Sequence, residues 1–202
     1  LALVRMDKLV EAESAFRSAL AHAPHLSEAM TELGIVLFRR GCLDEAQRNL
    51  EESLATNPQS IPALTNLGFL LIEKNNFVQA EIHFREALQH SHDPQILLGL
   101  ARIEIAQAHH EVATQFLQEA IQSSHDLHGA HLLLAQIFHG AGDFEQAAAA
   151  YEAALALHSD DAQAHFQLGM IRLQQNQLEE ASDAFFAAAY INPTLAAPHL
   201  EL

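Results

Sequence analysis

Ala12, Ala46, Ala80, Ala113, Ala147 and Ala181 stand 34, 34, 33, 34 and 34 residues apart, and each carries the same neighbours. Four residues after each alanine comes a large side chain: Phe16, Leu50, Phe84, Leu117, Tyr151, Phe185. Three further on comes a small one: Ala19, Ser53, Ala87, Ala120, Ala154, Ala188. A Leu-small pair precedes each of the last five alanines by twelve or thirteen residues: Leu33-Gly34, Leu67-Gly68, Leu100-Ala101, Leu134-Ala135, Leu168-Gly169. A period of this length means one supersecondary unit copied and stacked. No copy can bury its apolar face alone, so neighbours bury it for one another. Such stacks make surfaces and seldom carry chemistry.

Within a copy the apolar residues recur at steps of three and four, as in Leu64, Leu67, Leu71 and then Ala80, Phe84, Ala87, Leu88. That spacing predicts two helices per copy. Breakers mark the turns between them: Arg40-Gly41, Asn75-Asn76, Gly140-Ala141-Gly142, Asn176. Pro58 and Pro193 follow second helices, where a fixed φ and a missing N–H stop them. Asp44 and Asp143 stand where a carboxylate caps second-helix N–H groups. A Gly or Ala in the first helix lets two axes approach closely, and the large residue after the recurrent alanine fills the space beside it.

In these residues the chain resembles the tetratricopeptide repeat. The second copy matches at Met30, Leu33-Gly34, Leu37, Gly41, Ala46, Leu50, Ser53 and Pro58, and the sixth at His165, Leu168-Gly169, Asn176, Ala181, Phe185, Ala188 and Pro193. The register gives a partial repeat at 1–26 and whole repeats at 27–60, 61–93, 94–127, 128–161 and 162–195. A further repeat starts at 196–202, all in a single array over 1–202 with no internal boundary. Leu1 falls at the ninth position of a repeat, which suggests a piece of a longer array. The resemblance implies an all-α, right-handed superhelical solenoid of antiparallel helix pairs. Departures are visible. The family's first-helix Trp is replaced by Met30, Leu64, Leu97, His131, His165 and His199. His92, His125 and Ser159 replace the terminal Pro, and Glu104 and Arg172 occupy a usually apolar position, so those two copies are expected to pack less well.

Half of the residues are apolar, yet no apolar run approaches the ~18–20 residues that cross a bilayer. Cys42 is the single cysteine, so no internal disulfide forms, and its turn position reads as a partly exposed free thiol. The net charge of −16 is uneven: net −4 over residues 1–102 and −12 over 103–202, where 13 acids face one Arg. Such a surface repels nucleic acid and anionic lipid. It solvates the stack, or it docks a basic partner on the C-terminal half. The compartment stays open, with the cytoplasm slightly favoured, because the repeat register suggests that the native N-terminus lies outside this segment.

Fourteen histidines invite a metal reading, above all His125-x2-His128-x2-His131. But His131, His165 and His199 fill one repeat position in successive copies, and equivalent helices are too far apart to share an ion held at ~2 Å. We read His131 and His165 as packed neutral rings and His109-His110 as turn residues. No phosphate loop, nucleophile elbow or HExxH is present. Paired acids such as Glu51-Glu52, Asp160-Asp161 and Glu179-Glu180 read as surface. The segment is therefore read as non-enzymatic, with no cofactor and no metal.

In arrays of this family first helices line a concave groove. By resemblance this groove holds Thr31, Ile35, Phe38 and Arg39, then Thr65, Asn66, Phe69, Ile72 and Glu73, then Leu98, Arg102 and Ile105. It continues with Leu132, Leu133, Gln136 and His139, then Phe166, Gln167, Met170, Leu173 and Gln174. The strip is mainly apolar. The Lys/Asn/Arg cluster with which some members hold a C-terminal carboxylate lacks its lysine here; Asn66 and Arg102 alone could serve. The resemblance implies a scaffold that binds a protein or peptide partner in this groove. An alternative is the non-catalytic arm of a larger enzyme, such as a glycosyltransferase or sulfotransferase, selecting substrate proteins or dimerising. Apolar ends at Leu1–Leu3 and Ala196–Leu202 predict self-association through uncapped repeats.

Overall fold

The computed structural model describes residues 2–124 and 126–196, with side chains from 8 to 194. Leu1, His125, His199 and the rest of 197–202 lie outside the described residues. Every regular element among the described residues is helical. By packing the chain divides into Leu1–Ile103 and Glu104–Leu202, where the repeat register set no boundary. Contacts in a stack run only between neighbours, so a division can fall inside one.

The first unit holds α1 (Ala2–His22), α2 (Ser27–Arg39), α3 (Leu43–Thr56), α4 (Ile61–Glu73), α5 (Phe77–Leu88) and most of α6 (Pro94–Ala106). The second holds α7 (His110–Ser123), α8 (His128–Gly140), α9 (Phe144–Leu157), α10 (Ala162–Gln174), α11 (Leu178–Ile191) and a short α12 (Pro193–Ala196). The pairs α2/α3, α4/α5, α8/α9 and α10/α11 pack against each other.

α1 corrects the sequence reading of the first copy. A chain that opened inside a first helix would turn before its second, but Ala2–His22 is one uninterrupted helix. The residue equivalent to Gly41 is Asp7, and the helix runs on through it.

The later copies do turn, and all in one way. Gly41, Asn75, Ala108, Gly142 and Asn176 have φ of 80°, 57°, 61°, 78° and 61°. The next amide then reaches back to the carbonyl five residues earlier: Cys42 to Leu37, Asn76 to Leu71, His109 to Glu104, Asp143 to Phe138, Gln177 to Arg172, all at 2.8–2.9 Å. This is the Schellman closure of a helix C-terminus, which satisfies carbonyls the helix leaves open. Cys42 is exposed at the start of α3.

The recurrent alanines Ala46, Ala80, Ala113 and Ala147 are fully buried, as are Leu50, Phe84 and Leu117. A Cβ built on Gly34 would lie 2.7 Å from the Leu50 side chain, and one on Gly68 2.7 Å from the Phe84 ring. Gly99, on α6, meets the same ring from the following repeat. Phe84 is therefore held between two glycines of two repeats. Gly169 takes Phe185 in the same manner, at 2.7 Å.

Charges join neighbouring copies. Glu13, almost buried, pairs with Arg17 and Arg40. Lys74 donates to Asp44 and Gln47, both at 2.8 Å, and holds the Asp44 carboxyl below its usual pKa. Glu104 and Arg172 have polar partners: Glu104 meets His109 Nδ1 at 2.9 Å, and Arg172 pairs with Glu152 and donates to Gln177 at 2.7 Å.

Candidate functional site

The groove residues lie on the first helix of each repeat. In the first unit, Ile35 and Phe38 on α2, Asn66 and Phe69 on α4, and Leu98 and Arg102 on α6 are half-buried. Ile72 is 7% exposed and offers no surface. Asn66 turns back on its own helix, its Nδ2 donating to the Pro62 carbonyl at 2.8 Å. Phe69 sets its edge against Phe84, ring centroids 5.1 Å apart, and the Arg102 guanidinium lies 6.0 Å over its face. Arg102 also donates to Glu73 at 3.1 Å. The two residues that could have met a carboxylate are thus engaged, one by backbone and one by an acid.

In the second unit α8, α9 and α10 enclose a cavity of about 460 Å³. Its walls are Leu132, Gln136, His139 and Gly140 from α8, Tyr151 from α9, and Asp161, Gln163, Ala164 and Gln167 at the start of α10. Leu132, Gln136, His139 and Gln167 are the groove residues brought together here. Ile105, at the end of α6, and Met170, on α10, are half-buried and line none of the cavities described here. Phe166 lies against Phe185, centroids 5.6 Å apart. Leu173 belongs to a second cavity of about 520 Å³, with Leu178, Ala181, Ser182, Phe185, Phe186 and Ala189.

Asp161 is not the surface residue the sequence suggested, although Asp160 is exposed. It caps α10 by accepting the Ala164 N–H at 3.0 Å. Its other oxygen lies 3.1 Å from His128 Nε2. The His128 Nδ1 lies 3.0 Å from the Ala154 carbonyl, and its ring stacks on His158 at 4.5 Å. The cap was legible in sequence, as an acid just ahead of an apolar helical run. Tyr151 carried a subtler signal. It alone among the six large residues after the recurrent alanines has a hydroxyl. It is 3% exposed, and burial followed by the nearby Asp161 charge raises its pKa.

The histidines divide differently from the sequence expectation. His131 is half-buried, and burial, then the neighbouring His128, lowers its pKa. His165 is also half-buried, with Nε2 3.1 Å from the Ser159 carbonyl, so it does not pack as a core ring. His83, which the repeat pattern did not single out, has its pKa lowered by burial and a buried Nδ1 without a partner. Among the described residues no three His, Cys, Asp or Glu side chains gather as a metal-holding group. Among them, too, no helix is long and apolar enough to cross a membrane.

Comparison with known proteins agrees with this architecture. PilW, a type IV pilus biogenesis factor, superposes with a TM-score of 0.82 at 17% identity, over 94% of this chain and 89% of its own. PilF of Pseudomonas aeruginosa gives 0.76 at 20% identity, over 82% and 76%. YrrB, described as a TPR protein with an unusual peptide-binding site, gives 0.64 at 18% identity, over 93% and 98%. At these identities the likeness is one of fold. No curated protein matches the sequence. The family model described as tetratricopeptide repeat matches residues 1–60 and 132–197, more than half of the chain. With the helix pairs, the shared turn and the glycine contacts, that match places the chain in the tetratricopeptide repeat family.

Proposed function

We propose that this chain is a protein-interaction module that holds a partner segment along its first helices, with no chemistry of its own. One observation carries the reading: first-helix positions that could have been polar instead hold Ile35, Phe38, Phe69, Leu98, Leu132, Phe166 and Met170, all only half-buried. Apolar surface left partly open on a rigid scaffold is what a partner helix or extended segment covers. In the second unit Leu132 also walls a cavity, together with His139. YrrB, similar in fold, has a peptide-binding site, which favours a peptide as the occupant.

The test is to select peptides on the intact chain by phage display and measure their affinity for variants. Phe38→Ser and Leu132→Ser should each weaken binding about tenfold, ~1.4 kcal/mol. Val78→Ser and Ile82→Ser, at exposed second-helix positions, should leave it unchanged. If the second-helix changes abolish binding and the first-helix changes do not, the reading fails.

A further inference from the structure

We propose that the cavity walled by α8, α9 and α10 receives a cationic side chain, arginine or lysine, from the partner segment. The proposal rests on the groove reading and gives its partner a chemistry. Three observations converge on it.

The first is Tyr151. At the equivalent place the other copies bury hydrocarbon: Phe16, Leu50, Phe84, Leu117 and Phe185. A hydroxyl added to such a position has to reach solvent or a partner. Tyr151 is 3% exposed and forms a wall of the cavity, and its hydroxyl is not among the buried polar atoms left without a partner, so the accessible part of the residue includes that oxygen. Its oxygen can accept from a ligand N–H. The second is Asp161. Each of its oxygens has one protein partner, the Ala164 amide or the His128 ring. An ionised carboxylate has about four lone-pair sites, so it retains capacity for a ligand donor. Burial, and then the Asp161 charge, raises the pKa of the phenol, which stays neutral. The third is the charge around them. No Lys or Arg lines the cavity. Over residues 103–202 there are 13 acids and one Arg, and that Arg172 is tied to Glu152. This field attracts cations and disfavours a carboxylate. Amides of Gln136, Gln163 and Gln167 complete a polar collar that can hold a peptide backbone around the charged tip.

The experiment uses the ¹⁵N-labelled chain and three blocked tripeptides, Gly-X-Gly, with X as arginine, its neutral isostere citrulline, or glutamate. The arginine peptide should give saturable amide shifts at Leu132, Gln136, Gln163 and Gln167. Citrulline should bind about tenfold more weakly, and glutamate should not bind. D161N removes the charge but keeps the helix cap, since Asn caps as well as Asp. It should bring arginine to the citrulline level. Y151F should weaken arginine severalfold at an unchanged unfolding midpoint. If arginine and citrulline bind alike, or D161N changes nothing, the cation site is overturned while shifts on α8 and α10 leave the groove standing. Shifts confined to second-helix surfaces overturn both. No shift with any peptide at millimolar concentration overturns the cation site and leaves the groove to the display experiment.

Discussion

Single residues show where one copy lost what another kept. Thr31 Oγ1 and Ser53 Oγ are 2.7 Å apart in the core, and Ser53 donates on to the Ser27 carbonyl at 3.0 Å. One repeat later Thr65 stands in the place of Thr31, but Ala87 stands in the place of Ser53. The Thr65 hydroxyl is therefore buried without a partner. Thr65→Val should raise stability by about 1 kcal/mol, read from a denaturant midpoint at constant slope. A loss of stability would mean the hydroxyl is satisfied after all. The histidines give a second test. His83 and His131 have folded pKa values lowered by burial. Their neutral forms are favoured in the fold, so stability is intact above the unfolded value near ~6.5 and declines as pH falls through the depressed folded values. Glu86 and Glu51 oppose the shift at His83, while His128 reinforces it at His131. His131→Gln should flatten the loss of stability between pH 7 and 5. An unchanged slope would show that ring free to charge. The His131 position was legible from the repeat, whereas His83 was not, because no other copy holds a histidine at its place.

Helices were the most legible scale, since periodicity and turn residues both report on backbone. The turn chemistry was nearly complete too: Gly41, Asn75, Gly142 and Asn176 are residues that accept φ above zero. The exception is Ala108, at φ 61° with a Cβ that makes that conformation costly. Ala108→Gly should stabilise the chain by about 1 kcal/mol, visible as a rise in thermal midpoint. If the midpoint falls instead, the greater freedom of the unfolded glycine outweighs the relieved strain. Less legible was the end of the pattern. In α1 a helix runs through a place where register alone suggested a turn. The site was half-legible for the same reason. Register located Leu132 and His139, but Tyr151 and Asp161 reach the cavity from α9 and a helix cap, elements the groove positions do not include.

At the largest scale, contacts within each unit run from one copy to the next, and the last face described has no described copy beyond α12. On α11, Leu178, Phe186 and Tyr190 are 62%, 74% and 82% exposed. Earlier copies hold Arg17, Glu51, Arg85, Gln118 and Glu152 where Phe186 stands. Such an apolar patch drives association, so copies of this chain should pair through it at high concentration. Phe186→Glu should then lower the sedimentation coefficient toward that of the monomer. A coefficient independent of concentration in the unaltered chain would remove the basis for this expectation. Neighbour-to-neighbour contact is usually taken to make repeats exchangeable, and here Phe84 denies it. Its ring needs Gly68 behind it and Gly99 ahead of it. The places corresponding to Gly99 hold Glu32, Asn66, Leu133 and Gln167 in other copies. A gene rearrangement that set any of those copies after the third would drive a side chain into the ring. The copies arose alike, but their order is now fixed by the core, and this stretch of the chain is inherited as a sentence rather than as an alphabet.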